Sequence, residues 1–157
     1  MDYIVTAVRE RAPFVEYLNY HIPELIIVWD KYRDPMETFM RAWGENPSNA
    51  SLRFQDDIIL TENFLEKAHS IIDQHPNDVI QFFSMRKADT EIGSRWESGG
   101  NWIGNLCHYL PAGMSEEIYN FGLTWGGLLA NPTADDLLMR DYFKSKKIKS
   151  FLHCPSL

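Results

Sequence analysis

Two adjacent carboxylates, Asp56 and Asp57, interrupt an otherwise apolar run in the segment LRFQDDIIL, Leu52 to Leu60. An ionised carboxylate buried without a partner is costly, so both are expected where a strand ends, facing water, a cation or a phosphate-bearing ligand. Side chains alternate across an extended strand, so one site can use both only if the backbone turns at the pair. The expected arrangement is a strand over Leu52 to Gln55, a turn at Asp56 and Asp57, and a short return of Ile58 to Leu60 into the core. In open α/β sheets the carboxyl edge of the strands is where ligands bind.

Other residues of suitable type stand at comparable places. Arg9 and Arg11 follow the apolar run YIVTAV, where an arginine can hold a diphosphate through charge-assisted hydrogen bonds or serve as surface charge. Both readings stand for Arg9, whereas Arg11 is read as surface. Asp30 closes the second run, LIIVW, where it can accept from a ribose or base, or begin the following turn. Arg41 lies off the apolar stripe of its helix and is free to reach a ligand. Asp135 and Asp136 open the last helix, where the dipole favours carboxylates and where one of them can also face an acceptor.

These residues need a scaffold, and 157 residues with 45% hydrophobic and 13% aromatic content suit one domain over 1–157 with a substantial core. A net charge of −7 argues against a non-specific nucleic-acid surface, and Lys144, Lys146, Lys147 and Lys149 read as a solvated helix end in preference to a phosphate contact. Cys107 and Cys154 lack metal-ligand spacing, which fits a reducing compartment. No apolar run reaches the roughly 20 residues of a transmembrane helix, and MDYIVTAVRER lacks the pattern of a signal peptide. The expectation is a cytoplasmic protein.

Strand signals at Tyr3 to Val8, Leu25 to Val28, Leu52 to Gln55 and Val79 to Phe83 alternate with helix signals. Pro13 sits in the first turn of one helix, and Asp34, Pro35 and Glu37 mark the start of the next. There Met36, Phe39, Met40 and Trp43 form a core stripe, stopped by Gly44. Thr61, Ser115 and Thr133 are the expected caps of three later helices. Met85 to Gly100 shows no periodicity and reads as a long functional loop. Trp96 and Trp102 are platforms for a sugar ring or simple loop anchors, Trp102 to Leu110 a strand, and Gly122 to Asn131 a loop lining a cleft. IKSFLHCPSL closes the chain as an edge-like strand. The order predicts an α/β fold with a mainly parallel central sheet flanked by helices.

The segment LRFQDDIILTENF resembles the strand, metal-binding aspartates and following helix of GT-A glycosyltransferases, particularly small bacterial and phage ones. IVTAVRER is similar to that family's first strand and arginine-bearing loop, IIVWD to its second strand, and TFMRAW to the helix before the motif. NLCHYLPAGMSEEI and TADDLLMRDYFKSKKIKSFLHCPSL resemble its later strand and helix and its Pro-Ser-Leu ending. The resemblance implies a GT-A-like, Rossmann-like domain in which Asp57 ligates Mn²⁺ or Mg²⁺ on a nucleotide diphosphate and Asp56 supports the metal or holds the ribose. It also implies that Arg9 and Asp30 bind the nucleotide, and that Asp135 or Asp136, with Asp136 preferred, faces the acceptor as the catalytic carboxylate, a base for the acceptor hydroxyl if the enzyme inverts. A histidine after Pro-Ser-Leu often completes the metal site in such proteins, and here the resemblance offers His153, just upstream.

The resulting expectation is a metal-dependent transferase moving a sugar from a nucleotide-sugar donor, a UDP-sugar by preference, to an unidentified acceptor. A saccharide is the default acceptor, with a modified DNA base or a protein side chain as alternatives. The second hypothesis is a catalytically degenerate nucleotide- or carbohydrate-binding module of the same fold. A metal-dependent phosphohydrolase ranks third, because too few carboxylate and histidine ligands can be assembled.

Overall fold

The structure, a computed structural model, describes residues 1–102, 104–129 and 135–157. Among the described residues, seven strands form one sheet, most of them short β-branched and apolar runs: β1 (Asp2–Ala7), β2 (Leu25–Trp29), β3 (Ser51–Gln55), β4 (Val79–Gln81), β5 (Arg95–Ser98), β6 (Cys107–Leu110) and β7 (Lys149–Leu152). Their order across the sheet is β2-β1-β3-β6-β4-β7-β5. The helices are α1 (Ala12–His21), α2 (Pro35–Gly44), α3 (Phe64–Gln74), α4 (Lys87–Ile92), α5 (Met114–Gly122) and α6 (Asp135–Lys146).

The α/β class is as expected, but the sheet is mixed and not mainly parallel. β1 pairs in parallel with β2 and β3, and β4 with β7. β6 runs antiparallel to both β3 and β4, and β5 antiparallel to β7. The helix α3 carries the chain from β3 to β4 in the same direction, and β6 then inserts between them from the opposite edge. The carboxyl ends of β1, β2, β3, β4 and β7 consequently share one edge with the amino end of β6.

The pleat separates the two faces of the sheet. Val5, Leu52, Phe54, Ile80, Cys107 and Tyr109 meet Val15 and Leu18 of α1 and Phe64, Ala68 and Ile72 of α3 in an apolar core. The opposite face, under α2, α5 and α6, carries a buried polar row in which Arg53 stands opposite His108, and His108 opposite Gln81. Arg53 donates to the hydroxyls of Ser51 and Ser115, 2.9 Å each, and burial lowers its pKa to about 9. Burial, then the nearby Arg53, pulls His108 down to about 3, so it is neutral at physiological pH. On this face Arg53, Ser51, Ser115 and Gln81 are hydrogen-bonded and the ring nitrogens of His108 are buried without a partner among the described residues, while Val79 and Leu110 join Trp43, Ile118, Leu138 and Phe143 in a second apolar core.

Local signals account for α2 well. The Asp34 carboxylate accepts from the Glu37 N–H at 3.1 Å, Pro35 follows it, and Met36 and Trp43 are buried. Full burial of such a side chain contributes about 1.5–3 kcal/mol. Several other boundaries differ from expectation. α3 begins at Phe64 behind Asn63, which adopts a positive φ of 56° and takes the place expected for Thr61. Gly113 precedes α5, and Ser115 is buried against Arg53 instead of capping. Thr133 lies outside the described residues, as does the end of the Gly122 to Asn131 segment. Ile58 to Leu60 forms no strand, and Ile59 is exposed. β6 is confined to Cys107–Leu110, and β7 lies between β4 and β5, not at an edge.

Met85 to Gly100 is not a structureless loop. It forms α4 and β5, tied by an ion-pair network in which Arg86 and Arg95 both contact Asp89 and Glu97. Burial raises the Asp89 pKa, but hydrogen bonds from Ser84, Arg95 and Arg86 prevail and lower it to about 2. Gly99 is a packing glycine, because a Cβ there would lie 2.6 Å from the Phe143 backbone carbon. Among the described residues, no helix is long and apolar enough to cross a membrane.

Candidate functional site

The site begins where β1 and β3 end side by side. Their register pairs Thr6 with Gln55, so the chain leaving β1 through Val8 to Arg11 passes directly against the Asp56-Asp57 turn. Asp56 is only 4% exposed and is held from both sides. Its Oδ2 accepts from the Val8 N–H at 2.7 Å, and its Oδ1 accepts from Arg11 Nη1 at 2.9 Å. The same Arg11 nitrogen lies 3.2 Å from Oδ2 of Asp57, whose side chain is 41% exposed. The hydrogen bond to Asp56, with the charges of both aspartates, raises the Arg11 pKa further despite opposing desolvation. Arg11 is therefore the counter-ion of the pair and not an unattached surface charge.

A cleft of about 180 Å³ opens beside this cluster, lined among others by Thr6, Arg11, Asp30, Thr38, Phe39 and Asp56. It lies at the carboxyl edge of the three parallel strands, between them and the start of α2. Asp30 is in the lining, and its Oδ1 also accepts from the backbone N–H groups of Tyr32 and Asp34 at 3.0 and 3.2 Å. The turn-forming role of Asp30 is thus visible, and the same turn fixes the carboxylate at the cleft wall. Arg9 stacks its guanidinium 4.2 Å from the Trp29 ring centroid, next to Asp30 but outside the cleft lining.

Arg41 is placed elsewhere. It donates to Glu37 Oε1 at 2.6 Å and to the Trp29 carbonyl at 2.7 Å, bracing α2 to the end of β2. Its remaining exposure is toward a separate groove of about 740 Å³ formed with Met36, Met40, Tyr119 and Leu123.

His153 follows β7, three strand spacings from β3, or roughly 14 Å of sheet. Its N–H donates to the Gln81 carbonyl at 2.9 Å, its Nδ1 lies 3.4 Å from Ser94 Oγ, and burial lowers its pKa. The groove it lines includes Asn63, Glu66, Lys67 and Leu157 but neither Asp56 nor Asp57.

The two helix-start carboxylates occupy different environments. Asp135 is buried and accepts a hydrogen bond from Asn105 Nδ2, while Asn105 Oδ1 accepts from Trp102 Nε1 at 2.8 Å. Gln55 donates to the Leu106 carbonyl at 3.0 Å, so Asn105 stands one strand across from Asp56 at the same edge. Burial raises the Asp135 pKa to about 6, helped by the charge of Asp136 and opposed by the Asn105 hydrogen bond. Asp136 is partly accessible. The start of α6 is therefore anchored beside the Asp56-Asp57 edge through Asn105. Trp102 is a buried anchor in that chain of contacts, and Trp96 packs against His75 and Phe151 on the distant β5 side.

A divalent ion would need a carboxylate with capacity to spare. Among the described residues, no group of three or more His, Cys, Asp or Glu side chains could hold an ion. Asp57 alone fits the mode in which Mg²⁺ or Mn²⁺ is held by one or two carboxylates together with substrate phosphates and water. Asp56, enclosed by Val8 and Arg11, fits a supporting position behind it.

Thr38, Gln55 and Asn105 are not legible as site residues in the sequence, and Arg11, which the sequence offers beside Arg9 but favours as surface, belongs to the site. Only Arg11 carried a usable signal, as an arginine just beyond the first strand. The other three become site residues through non-local pairing. No protein-family model matches this chain, and no curated protein is significantly similar to it.

Proposed function

We propose that this protein is a glycosyltransferase of GT-A type that uses a nucleotide-sugar donor, preferentially a UDP-sugar, with Mn²⁺ or Mg²⁺ on the diphosphate. The observation that carries the reading is the convergence of Asp30, Arg11 and Asp56 on one cleft at the carboxyl edge of β1, β2 and β3, with Asp57 beside it, 3.2 Å from Arg11. Asp30 and the cleft wall would take the nucleoside, and Arg9 at the rim adds positive charge for the donor. Asp57 would hold the metal, and Asp56 would fix the turn that presents Asp57. The ion, when bound, neutralises charge on the departing nucleoside diphosphate.

In the transfer, the bond from the sugar's anomeric carbon to the diphosphate oxygen breaks and a bond to the acceptor oxygen forms. The acceptor hydroxyl proton must leave, and in an inverting reaction Asp136 would take it as general base. Asp135 is engaged by Asn105, which makes it the anchor of this helix start and leaves Asp136 as the more accessible carboxylate.

The test is release of UDP from a panel of UDP-sugars with Mn²⁺, comparing wild type with Asp136→Asn. Turnover lost by about 10² or more, with UDP binding retained, supports the assignment. A wild type that binds donor but never releases UDP moves the conclusion to a binding module of the same fold. One observation favours that second reading: His153 contributes to a groove that excludes the aspartate pair.

A further inference from the structure

Asp56 and Asp57 are adjacent like charges, and one of them is buried, so the pair needs a cation before any ligand arrives. Among the described residues, Arg11 is the basic side chain within ion-pair distance of either aspartate. A single nitrogen, Nη1, makes both contacts, at 2.9 Å to Asp56 and 3.2 Å to Asp57. The two contacts are unequal in kind. The one to Asp56 reaches a buried carboxylate already fixed by the Val8 N–H. The one to Asp57 is longer and lies between half-exposed side chains, where ion pairs contribute little and yield readily. A guanidinium has five N–H donors in a planar fork, which matches phosphate geometry, so most of its donor capacity is still available. Arg11 also lines a cleft whose volume, about 180 Å³, falls below the roughly 300–1,000 Å³ of typical small-molecule sites. Ligand entry must therefore move part of the lining, and Arg11 is its long, half-exposed side chain.

We infer that Arg11 is an exchangeable resident cation. It neutralises the aspartate pair in the ligand-free protein, gives up Asp57 to the divalent ion, and turns its remaining N–H groups to the diphosphate while staying hinged on Asp56. This inference rests on the glycosyltransferase reading above. It differs from a fixed arginine clamp in one respect: Arg11 opposes metal binding without nucleotide and promotes nucleotide binding with metal.

Mn²⁺ titration followed by electron paramagnetic resonance, then UDP calorimetry at saturating Mn²⁺, separates these effects in wild type and Arg11→Met. The variant should bind Mn²⁺ about threefold or more tightly without nucleotide, because its competitor is gone. It should bind UDP about tenfold or more weakly with Mn²⁺, because the charged donors are gone. Mn²⁺ affinity equal to or below that of wild type overturns the exchange. If Arg11→Met fails to fold, Arg11→Lys decides. Retained Mn²⁺ affinity with UDP binding about fivefold weaker supports the proposal, since the charge remains and the fork is lost. Unchanged UDP affinity in Arg11→Lys overturns it. Wild type that binds UDP with Mn²⁺ beside an Arg11→Met without tighter metal binding sinks this inference alone. Absence of Mn²⁺ and UDP binding in every protein removes the functional reading as well.

Discussion

Asn105 donates to the buried carboxylate of Asp135 from a position one strand across from Asp56, which joins the start of α6 to the aspartate edge of the sheet. This contact gives Asp135 a pH signature. Its pKa rises from 3.8 to about 6 on folding, chiefly through burial, so between those values the folded state holds more proton than the unfolded state. Stability must then fall as pH rises through that window. The shift caps the loss at roughly 3 kcal/mol. Asp135→Asn keeps an acceptor for Asn105 and should flatten the curve between about pH 4 and 6. Urea denaturation across this range checks it, and an unchanged slope would place the titration elsewhere.

Asp89 should act in the opposite direction and in a more acidic window. Its folded pKa, about 2, lies below its ordinary 3.8, so its contribution is present above the ordinary value and lost as pH falls through the folded one. Asp89→Asn should remove that acid-sensitive component. It should also loosen the segment from Arg86 to Glu97, because two arginines lose a shared buried partner. Limited proteolysis should then cut in this segment sooner than in wild type, and equal resistance would count against the network as its fastener.

Gly99→Ala separates a packed connection from a flexible one. The added Cβ would meet the Phe143 backbone carbon at 2.6 Å and the Ile148 carbonyl oxygen at 2.8 Å, neither of which can rotate away. A loss of about 1–3 kcal/mol is expected from such overpacking. Thermal denaturation indistinguishable from wild type would show that this segment is not pressed against α6.

The aspartates themselves should respond differently. Asp56→Ala removes the acceptor of both the Val8 N–H and Arg11, at a cost of about 2 kcal/mol after allowing for the exposure of Arg11. Asp57→Asn leaves these bonds in place and should change stability by less than about 0.5 kcal/mol. Chemical denaturation of the two variants makes the comparison. Equal losses would mean that Asp57 is as structural as Asp56.

Sequence reading succeeded where the determinant was local. The apolar run ending at Gln55 predicts β3, adjacent carboxylates predict its terminal turn, and Asp34-Pro35 predicts the start of α2. It failed where partners are distant along the chain. Nothing in CHYL announces a strand inserted between β3 and β4, and nothing in KSFL announces an interior position. The same limit hid Arg11, whose meaning depends on parallel pairing of β1 with β3, and Asn105, which gains its role from β6 pairing and Asp135. In Met85 to Gly100, charges and glycines look like a loop because their ion pairs and close packing are invisible without the fold.

The proposed function requires the Asp56-Asp57 edge to take a nucleoside diphosphate together with a divalent ion. Calorimetry of UDP binding, with and without Mn²⁺, on wild type and Asp57→Asn tests it most directly. UDP binding should be strengthened about tenfold or more by Mn²⁺ in wild type and be insensitive to Mn²⁺ in Asp57→Asn. UDP binding that ignores Mn²⁺ in the wild type, or a metal effect that survives in Asp57→Asn, would contradict it.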